Sequence, residues 1–532
     1  MADIGERFRI WLQWAVIRAQ PYPVLGTLLR LACRLGTWQV GRRLSKLRGV
    51  RAVYIRHTHP GAPAFLPGHS DLDLTVILSD EEAGDPKIFE DLAEEVEHRR
   101  LFTYYLDPAD ARYLSEGELV SLEHSLAAAP VEPLQSVQTW RLLSGREVRS
   151  HETQSFPAGM LPLHPEFNRW WQHILQEYVL APPPGQEKDY LRVFYRGAIK
   201  QMLIFHAAST GTMPGQTLTL DLDAAIPPGT DPELDGVLRQ LKGSNFWCRD
   251  GGKLKSLIFL HVLKSAATFF SGFQNQSKVS KTAPCFPSDR RRHGDAYTAL
   301  SSKLDRHPGL SSALEGALAY PIPYCHPYHY QVDLIVPEDV SGKSFGGILK
   351  EIENAFHRRE CREGDYSYFL TIIPASAYRH SLVFLGSPYP FLREHMQRYA
   401  QSIIGELPAG LEGSTEESTH VELCRTFFPW FLFNASRRVE HSSRTLNLCQ
   451  LASVRLFLEC GEIVTDAVDL QLRHQERFRE SSPDHTTWRY LIRDKPGRGD
   501  HAAYLKASEA LASELRHVAG LLDLKGAVKS RE

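Results

Sequence analysis

Residues 70–78 read Ser-Asp-Leu-Asp-Leu-Thr-Val-Ile-Leu, and their alternation organises the chain on either side. In an extended strand successive side chains point to opposite faces. Asp71, Asp73 and Thr75 therefore share one face, while Leu72, Leu74 and Val76 enter a core. Aspartate is depleted in strands, so two on one face are costly without a cation. A half-buried strand with a merely solvated face would mix Lys, Thr and Glu instead. The pair makes a hard-oxygen site suited to Mg²⁺, which takes one or two carboxylates and completes its octahedron with water and substrate phosphates.

Upstream, residues 51–56 (RAVYIR) are rich in β-formers and read as a strand, followed by the Pro/Gly turn region 57–70. Downstream the expected order is a polar helix over 85–99, a strand at 101–106 (LFTYYL), helical turns around 108–128 and a hairpin-like piece at 140–148. This is an α/β order with a mixed sheet. Residues 1–50 carry nine Lys/Arg against Asp3 and Glu6. Apolar residues at Phe8, Trp11, Leu12 and Val16, then at Leu25, Leu28, Leu29 and Ala32, predict two amphipathic helices. They pack on the first domain with their cations in solvent, or they meet an anionic membrane or nucleotide phosphates.

Six segments follow from these patterns: basic helices over 1–50, an α/β domain over 51–160, a helical domain over 161–270, a linker or exposed loop over 271–296, a second α/β domain over 297–390 and a C-terminal helical domain over 391–532. The second α/β segment is expected to carry strands at 330–336 and 368–373 around a helix at 345–359. DLDLTVILSDEE and VDLIVPED, each followed by a helix ending in HRR, suggest that it is a degenerate repeat of the first. The fold class expected is α/β plus α.

A length of 532 residues fits several domains, and a net charge of −2 argues against a nucleic-acid binder. Eight cysteines with no CxxC pair read as reduced thiols. No stretch approaches the length of apolar chain that spans a bilayer, and the N-terminus lacks a signal-peptide pattern. A soluble, cytoplasmic protein is the expectation.

Ser70-Asp71-Leu72-Asp73 with its strand resembles the second half of the nucleotidyltransferase motif found in DNA polymerase β-like, aminoglycoside-type and minimal nucleotidyltransferases. The likeness covers residues 50–150, and WRLLSGREV at 140–148 is similar to the piece that closes that family's core. The resemblance implies that Asp71 and Asp73 hold Mg²⁺, which bridges the triphosphate, orients a hydroxyl for in-line attack and neutralises departing pyrophosphate. Where the family has Gly-Ser, this chain has Arg56-His57-Thr58, which together with Ser70 would meet the nucleotide. Asp107 is the nearest candidate for the family's third carboxylate. Arg192, Arg196 and Lys200 stand at i, i+4 and i+8 on a helix, where the family presents cations to the triphosphate.

The activity implied is transfer of a nucleoside monophosphate from a nucleoside triphosphate to a hydroxyl of a small molecule or protein. The alternative is a catalytically inactive member serving as a nucleotide-binding or interaction module. A third reading, nucleotide addition to RNA, is disfavoured by the neutral charge. Cys325, His326 and His329 lie in a Pro/Tyr-rich loop without zinc spacing. Asp289-Arg290-Arg291-Arg292-His293 reads as a solvated run, and Asp333 as the lone acid of its strand.

Overall fold

A computed structural model describes mainly residues 22–56, 72–83, 112–120, 140–149, 293–324, 328–337, 342–356, 360–375, 391–405 and 442–483, with isolated positions elsewhere. Among these the chain has mixed α/β architecture, with two mixed sheets and flanking helices.

The first unit opens with α1 (Pro23–Leu44), which begins with proline in its first turn, where the missing N–H costs nothing. One helix therefore stands where the second of two was expected. Gly26, Cys33, Thr37, Val40, Gly41 and Leu44 form its buried face. Gly41 permits close approach, since a Cβ there would fall 2.5 Å from Leu143 Cγ.

Four strands follow: β1 (Val50–Ile55), β2 (Leu74–Leu78), β3 (Arg112–Ser115) and β4 (Arg141–Gly145). The sheet order is β3-β2-β1-β4, with β2 and β3 parallel and the β1–β2 and β1–β4 pairs antiparallel. Val53, Ile55, Leu74, Val76 and Leu78 pack with Cys33, Val40 and Leu44 of α1. Ala52, Tyr54, Ile77 and Leu114 on the opposite face join a cluster containing Trp140 and residues of the C-terminal helices. Both sheet faces are thus covered, and every residue of β2 is buried.

Three expectations change here. The strand begins at Leu74, so Asp73 lies just ahead of it, while Asp71 is outside the described residues. The strand parallel to β2 is Arg112–Ser115, in a stretch expected to be helical, and the helix starts only at 116. Tyr113 and Leu114 enter opposite cores, and that burial decides for the strand. Residues 140–148 do not close on themselves as a hairpin, because β4 pairs with β1. The expected strand at 101–106 and residues 161–258 of the expected helical domain 161–270 lie outside the described residues.

The second unit begins with α2 (Gly294–Asp305) and α3 (Pro308–Ala313), both inside what was read as linker and domain start. Its strands are β5 (Gly316–Pro321), β6 (His329–Val336), β7 (Glu360–Glu363), β8 (Tyr366–Pro374) and β9 (Gln401–Ile404). Between β6 and β7 runs α4 (Gly342–Phe356), which buries Phe345, Ile348, Leu349, Ile352 and Phe356 at helical spacing. α5 (Leu392–Tyr399) precedes β9. The expected strands at 330–336 and 368–373 are present, slightly longer. β9 interrupts the helical tail expected from 390, because its pairing with β5 draws it into the sheet. α6 (Ser442–Cys460) and α7 (Ala467–Arg477) follow, and the Asp466 side chain caps α7 by accepting from the Val468 and Asp469 N–H groups.

The two sheets share one plan. The order β7-β8-β6-β5-β9 contains β8-β6-β5-β9 in the directions of β3-β2-β1-β4, with β7 added at the edge. Each has a register shift in its outer antiparallel pair, between Val53 and Tyr54 in one and between Ala317 and Leu318 in the other. Each ends that pair in a positive-φ glycine, Gly145 at +91° and Gly405 at +73°. A Cβ on Gly145 would meet the Arg51 carbonyl and Ala52 Cα, and one on Gly405 would meet the Glu315 carbonyl and Gly316 Cα. Ala52 therefore corresponds to Gly316, and the ladders place the remaining residues.

Candidate functional site

β1 and β2 pair Tyr54 with Thr75 and Ile55 with Leu74, and a further bond from Arg56 N–H to the Asp73 carbonyl, 3.0 Å, extends the ladder outward. Arg56 and Asp73 thus face each other at the end of the pair. Arg56 Nη2 donates to Asp73 Oδ1 at 3.1 Å. The arginine side chain is 2% exposed and the aspartate 16%. A guanidinium so withdrawn from water requires an anion beside it, and Asp73 supplies it.

Thr75, fully buried, follows Asp73 on the same face. Its in-register partner on β3 is Arg112, also buried. The face therefore carries a polar row of Arg56, Asp73, Thr75 and Arg112, with two guanidiniums and one carboxylate among the described residues. Thr75 Oγ1 has no hydrogen-bond partner among those residues. Asp71 would continue the row by one step, but it lies outside the described residues, as do Ser70, His57, Thr58, Asp107, Arg192, Arg196 and Lys200. Of the expected site residues, Arg56 and Asp73 are described, and the structure brings them together.

Arg112 was missed by sequence reasoning. Its strand is four residues long, too short for alternation to register, and only Tyr113 gives a β signal. For a Mg²⁺ ion, Asp73 offers carboxylate oxygen, the right donor chemistry, at an edge that retains some exposure. The ion would share that carboxylate with Arg56. No group of three His, Cys, Asp or Glu residues suited to a metal occurs among the described residues.

Next to this row a second knot fixes β4. Tyr54 Oη donates to Glu147 Oε1 at 2.6 Å, and Val148 N–H donates to Tyr54 Oη at 3.0 Å. Arg149 grips Glu147 through two bonds of 2.8 Å and lies 4.9 Å above the Tyr54 ring. The hydrogen bond from Arg149 holds the Glu147 carboxyl down at about 2. Burial, then the bond to Glu147, pushes the Tyr54 hydroxyl up to about 12. All three groups are engaged with one another, so this is a clamp on the sheet rather than a set of reactive groups.

In the second sheet the corresponding positions hold different residues. Tyr320 stands at the place of Arg56, Gln331 at that of Asp73, Asp333 at that of Thr75 and Thr371 at that of Arg112. Tyr320 Oη donates to Asp333 Oδ2 at 3.2 Å, and Gln331 Nε2 bonds Asp333 Oδ1 at 3.3 Å and Thr371 Oγ1 at 2.5 Å. Asp333 is therefore the central acceptor for two uncharged donors, Tyr320 and Gln331, and it corresponds to neither Asp71 nor Asp73. His293, expected to be solvated within its basic run, is buried and bonds Tyr330 Oη through Nδ1 at 2.8 Å. Cys325 and His326 lie outside the described residues. Cys33 and Cys449 are buried thiols and Cys460 is exposed.

No family model matches the chain, and neither a curated protein nor a solved structure matches it at a significant level.

Proposed function

We propose that the first unit is a nucleotidyltransferase-type domain that binds a nucleoside triphosphate with Mg²⁺ and transfers the nucleoside monophosphate to a hydroxyl of a small molecule or protein. The observation that carries this reading is the polar row Arg56, Asp73, Thr75 and Arg112, buried except for the partly exposed Asp73. A guanidinium–carboxylate pair and a second guanidinium in one row, beside a threonine hydroxyl without a described partner, are donors of the kind that bind a phosphate oxygen. Asp71 and Asp73 would hold the metal, which when bound neutralises phosphate charge and leaving pyrophosphate. Arg56 orients Asp73 through its hydrogen bond, and the covered sheet excludes water behind it. The second sheet, with Gln331 and Asp333 in place of Asp73 and Thr75, is read as a degenerate copy that is structural.

The test is incubation of the chain with each of radiolabelled ATP, GTP, CTP and UTP in Mg²⁺. Pyrophosphate release abolished by Asp73→Asn is the expected result, and no release with any triphosphate sinks the enzyme reading. One observation favours a second reading: Asp73 is already spent as the counter-ion of a buried arginine. A chain that binds a triphosphate without releasing pyrophosphate would be a nucleotide-binding or interaction module on the same fold.

A further inference from the structure

α1 buries one face on the first sheet, and its opposite face is apolar. Val24, Leu28, Leu31, Leu35 and Trp38 recur at alternating spacings of four and three residues, which stacks them in one narrow seam. Leu28, Leu31, Leu35 and Trp38 are 55%, 51%, 59% and 53% exposed. Scattered surface leucines need no explanation, but a continuous seam marks a contact surface. Exposed arginines border it: Arg30 and Arg34 lie to one side, and Arg42 stands at its end with its guanidinium 5.3 Å above the Trp38 ring.

The charges select the occupant. No acidic residue occurs between Glu6 and Asp71. A second copy of α1 laid on the seam would set arginine against arginine with no carboxylate on either helix to answer it. A lipid bilayer bearing anionic headgroups complements both parts: leucines and tryptophan enter the boundary of the acyl region while arginines extend to phosphates. No described helix is long and apolar enough to cross a membrane, so α1 would lie in the plane of the surface.

We propose that α1 docks the protein on an anionic membrane surface through the Val24–Trp38 seam. The docking is independent of whether the first sheet handles nucleotide.

The experiment is co-sedimentation of the full chain with vesicles of phosphatidylcholine alone and of phosphatidylcholine with about 30 mol% phosphatidylserine. Wild type should bind the anionic vesicles, lose binding in high salt and bind the neutral vesicles far less. Leu31→Glu with Leu35→Glu should abolish binding while leaving the circular dichroism spectrum unchanged, because both side chains already face solvent. Arg30→Gln with Arg42→Gln should weaken binding by about fivefold per arginine, and it carries the test alone should the glutamate variant not fold. Equal binding by wild type and the folded glutamate variant overturns the proposal, as does no binding to anionic vesicles. A concentration-dependent dimer that the glutamate variant dissolves, without vesicle binding, assigns the seam to a second copy and also overturns it.

Discussion

Arg56 and Asp73 meet across the end of the β1–β2 pair, seventeen residues apart in sequence, with the arginine almost wholly withdrawn from water. Removing one partner and replacing both have unequal consequences. Asp73→Asn takes a neighbouring carboxylate away from a buried guanidinium and should cost about 2–4 kcal/mol, the partial exposure of Asp73 lowering the usual penalty. Replacing both by apolar residues, Arg56→Met with Asp73→Leu, should restore most of that loss. Urea unfolding of Arg56→Met, Asp73→Leu and the double variant measures the coupling.

Gly145 and Gly405 should fail alike. Both hold positive φ, and in both a methyl group would press on the carbonyl of the strand alongside. Gly145→Ala and Gly405→Ala should each cost at least about 2 kcal/mol, combining backbone strain with steric displacement. Gly364→Ala shares the positive φ but meets nothing within 4 Å, so its cost should stay near about 1 kcal/mol. Thermal or denaturant melts of the three variants rank them.

His395 makes the second unit acid-sensitive. Its Nε2 lies 2.7 Å from the Pro321 carbonyl, which only accepts, so Nε2 carries the hydrogen and Nδ1 accepts from Thr465 Oγ1 at 2.7 Å. Burial pushes the imidazole down to about 3, overriding the opposing bond to Pro321. The unfolded histidine takes up a proton near its ordinary value while the folded one refuses it. Its stabilising contribution is thus complete above about pH 6.5 and declines as pH falls toward 3, at up to about 1.4 kcal/mol per pH unit. Stability measured between pH 7 and 4 should slope less steeply in His395→Gln than in wild type.

Buried and exposed ion pairs of the C-terminal helices should separate clearly. Glu514 accepts from Arg455 Nη1 at 3.2 Å and bonds His474 Nε2 at 3.1 Å, with all three side chains buried. Glu514→Ala should destabilise by about 3–5 kcal/mol. Glu476, which meets Arg473 at 2.9 Å in largely exposed surroundings, should cost under about 1 kcal/mol when changed to Ala. Chemical denaturation of each variant makes the comparison.

The strands legible in the sequence were those whose own residues dictate them. Leu74–Leu78 and His329–Val336 are dense in β-branched and aromatic side chains, and α4 repeats its apolar residues at helical spacing. β5 is hidden because Gly-Ala-Leu-Ala-Tyr-Pro is weak in β propensity; small residues suit a central strand flanked closely on both sides, as where Gly316 approaches the Ile404 carbonyl. β3 and β9 are four residues long and exist by pairing. At the site, the local alternation placed Asp73 and Thr75 on one face. The partnership of Asp73 with Arg56, and of Thr75 with Arg112, depends on a ladder register that no local pattern encodes.

The matching bulge and glycine in both sheets have a consequence for how such sites change. In one sheet the frame surrounds an ionic row, Arg56 to Arg112, and in the other a neutral donor chain around Asp333. Backbone architecture and chemical filling are therefore separable variables in this protein. Exchanging the four side chains of one row for those of the other would ask which of the two carries the chemistry, with the fold held constant inside a single molecule.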